Sequence, residues 1–193
     1  MWKRISLSCA GKRSLGHIPE RRRIPGGAGV LQVSFDTVKE WLSLLDHFYL
    51  TFRLSPWSKR VARSILKEKK IYLYNYPLID DSAARLENMV AVELLRSVTF
   101  WNNSDVGDFS LHYLRDKEKR EVDFLIARKN RPFLIIEARE GDENIDENLL
   151  YFQKKLKVPA VQLVNKKDGF RRRTVNGRKV LVATASTRLA SLP

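Results

Sequence analysis

The chain has 193 residues, 44% hydrophobic and 30% charged, which excludes a disordered polyelectrolyte and fits one good core with a smaller appended unit. The single cysteine, Cys9, excludes an internal disulfide and a cysteine metal cluster, and no apolar run is long enough for a membrane span or a signal core, so a cytoplasmic place is expected. The formal net charge of +14 points to a polyanionic partner, nucleic acid before others, and to no membrane.

Residues 1–30 lack apolar periodicity and carry Arg21, Arg22 and Arg23 ahead of Pro25, Gly26 and Gly27, the composition of a poorly ordered basic leader. The run Gly11-Lys12-Arg13-Ser14 looks like a phosphate loop, but the upstream glycine is missing and Arg13 stands where a magnesium-binding hydroxyl belongs. A helix is predicted over 34–50, with Ser34 as N-cap and Val38, Trp41, Leu42, Leu45 and Phe48 as its apolar face. A strand over 49–54, a partly helical basic stretch over 59–68 and a strand over 71–76 follow. This order suggests half of a winged helix-turn-helix, so residues 31–80 read as a partial winged-helix-like segment. The outward residues of its helix, Asp36, Lys39, Glu40 and Asp46, are net acidic, so this unit is expected to pack rather than to read DNA.

A second helix is predicted over 82–98, capped by Asp80 or Asp81. Glu87 falls on its apolar side with Val90, Ala91, Leu94 and Val98, where a carboxylate needs a partner. A short strand over 99–101, a polar turn over 102–107, a strand over 109–115 and a charged hairpin loop over 116–120 come next. The stretch 121–140, EVDFLIARKNRPFLIIEARE, reads as two strands about a turn marked by Asn130 and Pro132. Val122, Phe124 and Ile126 take one face of the first strand, and Asp123, Leu125 and Ala127 the other. On the second strand Phe133, Ile135, Glu137 and Arg139 lie opposite Leu134, Ile136 and Ala138. Both strands are apolar on both faces, so their ionisable groups must be paired or bound to a metal. A helix over 146–157, with Leu149, Phe152 and Leu156 inward, leads to a strand over 160–164 and closes a parallel crossover. Residues 165–178 form a basic loop or hairpin with Asn176-Gly177 as a tight turn, and a strand over 180–183 ends the fold.

Asp123 and Glu137 on adjacent strands can hold one Mg²⁺, with the Ala138 carbonyl nearby, to activate a water and neutralise a phosphate oxygen. Arg139, on the face of Glu137, can meet the phosphate charge, and Glu87 can add a ligand or hold a metal-bound water. Lys166, Lys167, Arg171, Arg172, Arg173 and Arg178 would track a nucleic-acid backbone. The element order, with Asp123 followed by Glu137-Ala138-Arg139, resembles the PD-(D/E)XK nuclease fold of restriction endonucleases and junction resolvases. The resemblance implies an α/β, restriction-endonuclease-like mixed central sheet flanked by helices over residues 81–193. The motif lysine is Arg139 here, and an arginine stays protonated and cannot act as a general base.

The segments SFDTVKEWLSLLDHFYLTFRLSPWSKRVAR, KKIYLYNYPLIDD, ARLENMVAVELLRSVTFW, LHYLRDKEKREVDFLI and PFLIIEAR, in this order, resemble the C-terminal domain of unknown function of bacterial and archaeal AAA-type ATPases. The resemblance spans residues 31–164. In that family a P-loop ATPase domain precedes a winged-helix segment, and a nuclease-like domain ends the chain. This sequence carries no such ATPase domain, which suggests a shortened copy, and has Asn75-Tyr76-Pro77-Leu78 where the family has Asp-Trp-Gly-Leu. What the resemblance implies is a nuclease-like nucleic-acid-binding module, weakly active or inactive because of Arg139, with DNA as partner and an ATPase partner or self-association beside it. Two other readings stay open: an active Mg-dependent DNA endonuclease using Asp123 and Glu137, and a protein-interaction domain whose charge opposes an acidic partner.

Overall fold

The structure is a computed structural model that describes residues 34–58, 68–141, 144–166, 170–175 and 177–193, without the side chains of Phe35, Phe170 and Arg178. The basic leader over 1–30, most of the helical stretch over 59–68, and Lys167 lie outside the described residues.

Helix α1 (Phe35–His47) starts from Ser34, whose hydroxyl accepts the Thr37 N–H at 3.1 Å and so satisfies one orphan donor. Its apolar face is only half covered: Val38, Leu42 and Leu45 are half-buried, while Trp41 and Phe48 stand 47% and 67% exposed. Strands β1 (Thr51–Leu54) and β2 (Lys70–Leu73) pair antiparallel as a separate two-stranded ribbon. The strand expected over 71–76 therefore stops early, and a 3-10 turn at Tyr76–Leu78, opened by Pro77, takes over. Asp81 caps α2 (Ser82–Asn103), accepting the Ala84 N–H at 2.8 Å.

No strand forms over 99–101, because α2 runs on through these residues. The triplet Thr99-Phe100-Trp101 has strand propensity, but Trp101 lies three positions after the buried Val98 and packs its ring, tilted, against Phe109 at 5.1 Å, and that helical face wins. The Thr99 hydroxyl returns a hydrogen bond to the Leu95 carbonyl at 2.8 Å within the helix.

Strands β3 (Phe109–Arg115), β4 (Glu121–Arg128) and β5 (Arg131–Arg139) form an antiparallel meander. Helix α3 (Glu147–Leu156) then joins β5 to its parallel neighbour β6 (Ala160–Val164). β7 (Phe170–Val175) and β8 (Arg178–Thr184) are a hairpin, and α4 (Ala185–Ala190), absent from the sequence reading, follows. The six strands lie in the order β3-β4-β5-β6-β8-β7, with β6 and β8 also parallel, so the sheet is mixed and β7 is an edge. At the β4–β5 turn Lys129 and Asn130 both take left-handed backbone, φ 48° and 57°, the geometry of a two-residue hairpin. Pro132 lies inside β5, at the register shift next to Ala127, where a missing N–H is tolerated.

One apolar cluster unites α2, the ribbon residues Phe52, Leu54 and Tyr72, and Phe124, Ile126 and Ile136 of the sheet. The other puts Leu149 and Phe152 of α3 against Leu125, Ala127, Ile135 and Val180. Val122 belongs to this second cluster, not with Phe124 and Ile126 as strict alternation has it. The β3–β4 register shifts between His112 and Leu114, and Leu114 pairs with Val122, so the pleat is broken there. No helix among the described residues is long and apolar enough to cross a membrane.

Candidate functional site

The β4–β5 ladder ends where Phe124 pairs with Ile136. One step further the strands no longer exchange backbone bonds, and carboxylates take over. Glu137 Oε2 accepts the Asp123 N–H at 3.2 Å, and Asp123 Oδ2 accepts the Ala138 N–H at 3.2 Å. Both acids are buried, at 6% and 7% exposure. The structure thus brings the two acids expected on adjacent strands to one place, at a parting of the sheet.

Lys70, at the start of β2, enters the same place from the ribbon. Its Nζ lies 2.8 Å from Glu121 Oε1, 2.9 Å from Glu87 Oε1 and 3.2 Å from Asp123 Oδ1. An ammonium has three N–H donors, and these three oxygens match them one for one. The Tyr72 hydroxyl donates to the same Glu87 oxygen at 2.9 Å. Glu87 is therefore on the buried side of α2 as the sequence pattern requires, held by Lys70 and Tyr72. Lys70, Tyr72 and Glu121 were missed in the sequence. One signal was there: Lys70 shares strand parity with Tyr72, whose side chain is buried, and a lysine on such a face needs acids.

Arg139 is turned elsewhere. Its Nε lies 3.4 Å from Glu137 Oε1, and its terminal nitrogen is ion-paired with Asp146. Asp146 is the N-cap of α3 and also accepts the Leu149 N–H at 3.0 Å. Arg139 thus ties β5 to the start of α3.

Burial pushes the Asp123 carboxyl up to about 6, with the charge of Glu87 adding and Lys70 opposing. Burial likewise pushes Glu137 up to about 8, and the neighbouring Asp123 charge adds to it. Burial alone would lower the Lys70 ammonium, but Asp123, Glu87 and Glu121 together outweigh it and hold Lys70 well above its ordinary value. The Tyr72 phenol is raised by burial first and by Glu87 next.

The residues can be tested for a divalent ion. Such an ion needs several oxygens converging on one point. Among the described residues no group of three or more His, Cys, Asp or Glu side chains is placed to hold one. Glu87, Glu121 and one oxygen of Asp123 face Lys70, and the other oxygen of Asp123 faces backbone. As arranged, the donor set does not fit a divalent ion.

The basic residues are split. Lys166, Arg171 and Arg172 are exposed and Arg173 is half-buried, on or next to the edge strand β7. Arg171 and Arg173 lie opposite Val182 and Val180 and share their face, which is the α3 side, because Val180 packs in the α3 cluster. Arg172 lies opposite Leu181 on the α2 side. Of Arg178 only the backbone, at the start of β8, is described. Three strand steps separate β5 from β7 and four separate β4 from β7, which puts the arginines about 14 Å along the sheet from Glu137 and about 19 Å from Asp123.

Fold and site together define a mixed α/β domain whose six-stranded sheet, flanked by helices, holds a buried charged cluster where two neighbouring strands part. The family model for the domain of unknown function DUF4143 matches residues 83–184, more than half of the chain, and the chain belongs to that family. A second model, for the domain of unknown function DUF8612, matches residues 9–87. The acids Glu121, Asp123 and Glu137 come from the first stretch and Lys70 from the second. No curated protein matches the chain.

Proposed function

We propose that this chain is a nuclease-like module that binds nucleic acid and does not cut it. The mixed sheet, with an acidic pair where β4 and β5 part, supports the restriction-endonuclease-like reading of the fold. The observation that carries the absence of cleavage is the state of Arg139. At the position of the motif lysine, its guanidinium is drawn toward Asp146 at the start of α3 and toward Glu137, and as a permanently charged group it supplies no base. The net charge of +14 and the arginines on β7 support a nucleic-acid backbone as partner, DNA in the first place.

The test has two arms. Purified protein is titrated with duplex DNA over a range of salt, and plasmid nicking is measured with Mg²⁺ or Mn²⁺ against Asp123→Ala. Salt-steep binding is expected, with no nicking above that of the variant. Nicking that Asp123→Ala abolishes makes the chain an active endonuclease instead. Absence of DNA binding leaves a protein-interaction domain.

A further inference from the structure

Lys70 is carried by a ribbon that belongs to a different sheet from Glu121 and Asp123, two of the three acids it meets. Its side chain is nonetheless only 16% exposed, and its ammonium is bonded to oxygens from α2 and from two positions of β4. The ribbon is clamped where it delivers this group. The Asn88 side chain on α2 accepts the Leu73 N–H at 2.9 Å and donates to the Leu73 carbonyl, closing both backbone valences next to the site. Tyr72 stacks on Phe52 at 5.5 Å and reaches Phe124 at 6.0 Å, while its hydroxyl holds Glu87. The position of the ammonium is therefore built in at three levels: backbone, ring and carboxylate.

We propose that Lys70 is the resident cation of this acidic site, an intramolecular ammonium that the β1–β2 ribbon inserts among Glu87, Glu121 and Asp123 and that shuts a divalent metal ion out. The argument is one of space and valence. A magnesium ion needs oxygens at about 2.0–2.1 Å from its centre. Here the oxygens of Glu87, Glu121 and Asp123 surround a nitrogen at 2.8–3.2 Å, and no cation can enter among them without expelling it. Lys70 also has no N–H left over for a phosphate, so it does not replace the missing motif lysine. Of the acids in the metal site that the nuclease resemblance implies, Asp123 and Glu87 are, in this chain, tied up in an internal ion-pair cluster, while Glu137 faces Arg139 and the Asp123 N–H. The inference rests on the nuclease-lineage reading of the acids and is independent of nucleic-acid binding.

The experiment uses the full chain and Mn²⁺ alone, without DNA, read by the loss of the free-ion EPR signal and by thermal shift. The parent is expected to leave the ion signal unchanged and its Tm unmoved. Lys70→Met, of similar length and no charge, is expected to take up a single Mn²⁺ and to gain Tm with added metal. Lys70→Met with Asp123→Asn is expected to lose that uptake. A folded Lys70→Met that binds no Mn²⁺ overturns the proposal. So does uptake by the parent that Asp123→Asn abolishes, a measurement that stands even if the Lys70 variant fails to fold. Loss of DNA binding sinks the proposed function and leaves this result untouched.

Discussion

The Lys70 ammonium lies 3.2 Å from Asp123 Oδ1 across 53 positions of sequence, and it ties the small ribbon to the central sheet through charge. Tyr72, two positions on, adds a ring contact to Phe124 of β4. Removing the cation leaves the buried Asp123 and the half-buried Glu87 and Glu121 together without their shared partner. Breaking a buried pair by deleting one member costs about 3–5 kcal/mol, because the abandoned charge is the expensive part. Lys70→Ala is therefore expected to lower the unfolding free energy by about 3 kcal/mol in urea titration. Removing Glu87 in the Lys70→Ala background should cost little further, since the pair acts as one unit. A loss below about 0.5 kcal/mol for Lys70→Ala, the size of a surface substitution, would contradict the geometry.

The same burial makes stability depend on pH. Asp123 and Glu137 are both raised, to about 6 and about 8, above their ordinary values of 3.8 and 4.5. A carboxyl with a raised folded pKa binds its proton more tightly folded than unfolded. Its contribution is fully present below the unfolded pKa and is lost as pH rises through the folded one. From these two groups, stability should fall as pH climbs from about 4 to about 8, most steeply below about 6 where both contribute, and through Glu137 alone above that. Glu137→Gln should flatten the upper half of the profile and raise Tm at alkaline pH. A profile that rises over this window and does not change in Glu137→Gln would refute the assignment.

Much of this arrangement was legible in the sequence, and the reason is local. β3 and β6 have the bounds read from the pattern, because Gly107 and Pro159 punctuate the chain just ahead of them. Asp123 and Glu137 stood out as acids inside strands apolar on both faces, and they do meet. What was not legible depends on contacts distant in sequence. Lys70 looks like a solvated lysine before a strand until α2 and β4 are folded around it. Arg139 looks available until Asp146 is seen to cap α3 beside it. Thr99-Phe100-Trp101 misled because local propensity is weaker than a helix face packed on Phe109.

The pairing of Arg139 with Asp146 yields a smaller and opposite kind of prediction. The guanidinium is 43% exposed, so solvent screens the pair and its worth is that of a surface bridge rather than a buried one. Arg139→Ala is expected to cost about 1 kcal/mol at most and to raise exchange of the first amides of α3. Asp146→Ala should cost more, about 1–2 kcal/mol, because it removes the N-cap bond to Leu149 as well. Arg139→Lys alone is expected to leave plasmid DNA uncut, since the Lys70 cluster remains in place. Cutting by that single variant would show that Arg139 alone silences the site and that the Lys70 cluster adds nothing to it.

The split of the β7 arginines makes the nucleic-acid reading specific to a face. Arg171 and Arg173 lie on the α3 side of the edge strand, where Lys154 and Lys157 at the end of α3 are exposed. Arg172 lies on the α2 side. A polyanion lying along the α3 side meets the first pair together with the lysines, and does not reach Arg172. Each phosphate contact released contributes about 0.9 to the slope of log affinity against log salt. Replacing Arg171 and Arg173 by alanine should then lower that slope by about 2, while Arg172→Ala leaves it unchanged. Adding Lys154→Ala and Lys157→Ala should lower it further without disturbing the fold, since both side chains stand in solvent. If Arg172→Ala alone lowers the slope while the Arg171 and Arg173 replacements do not, the polyanion runs over the α2 face instead. If none of these variants changes the slope, the hairpin is not the contact and the charge of the chain acts elsewhere.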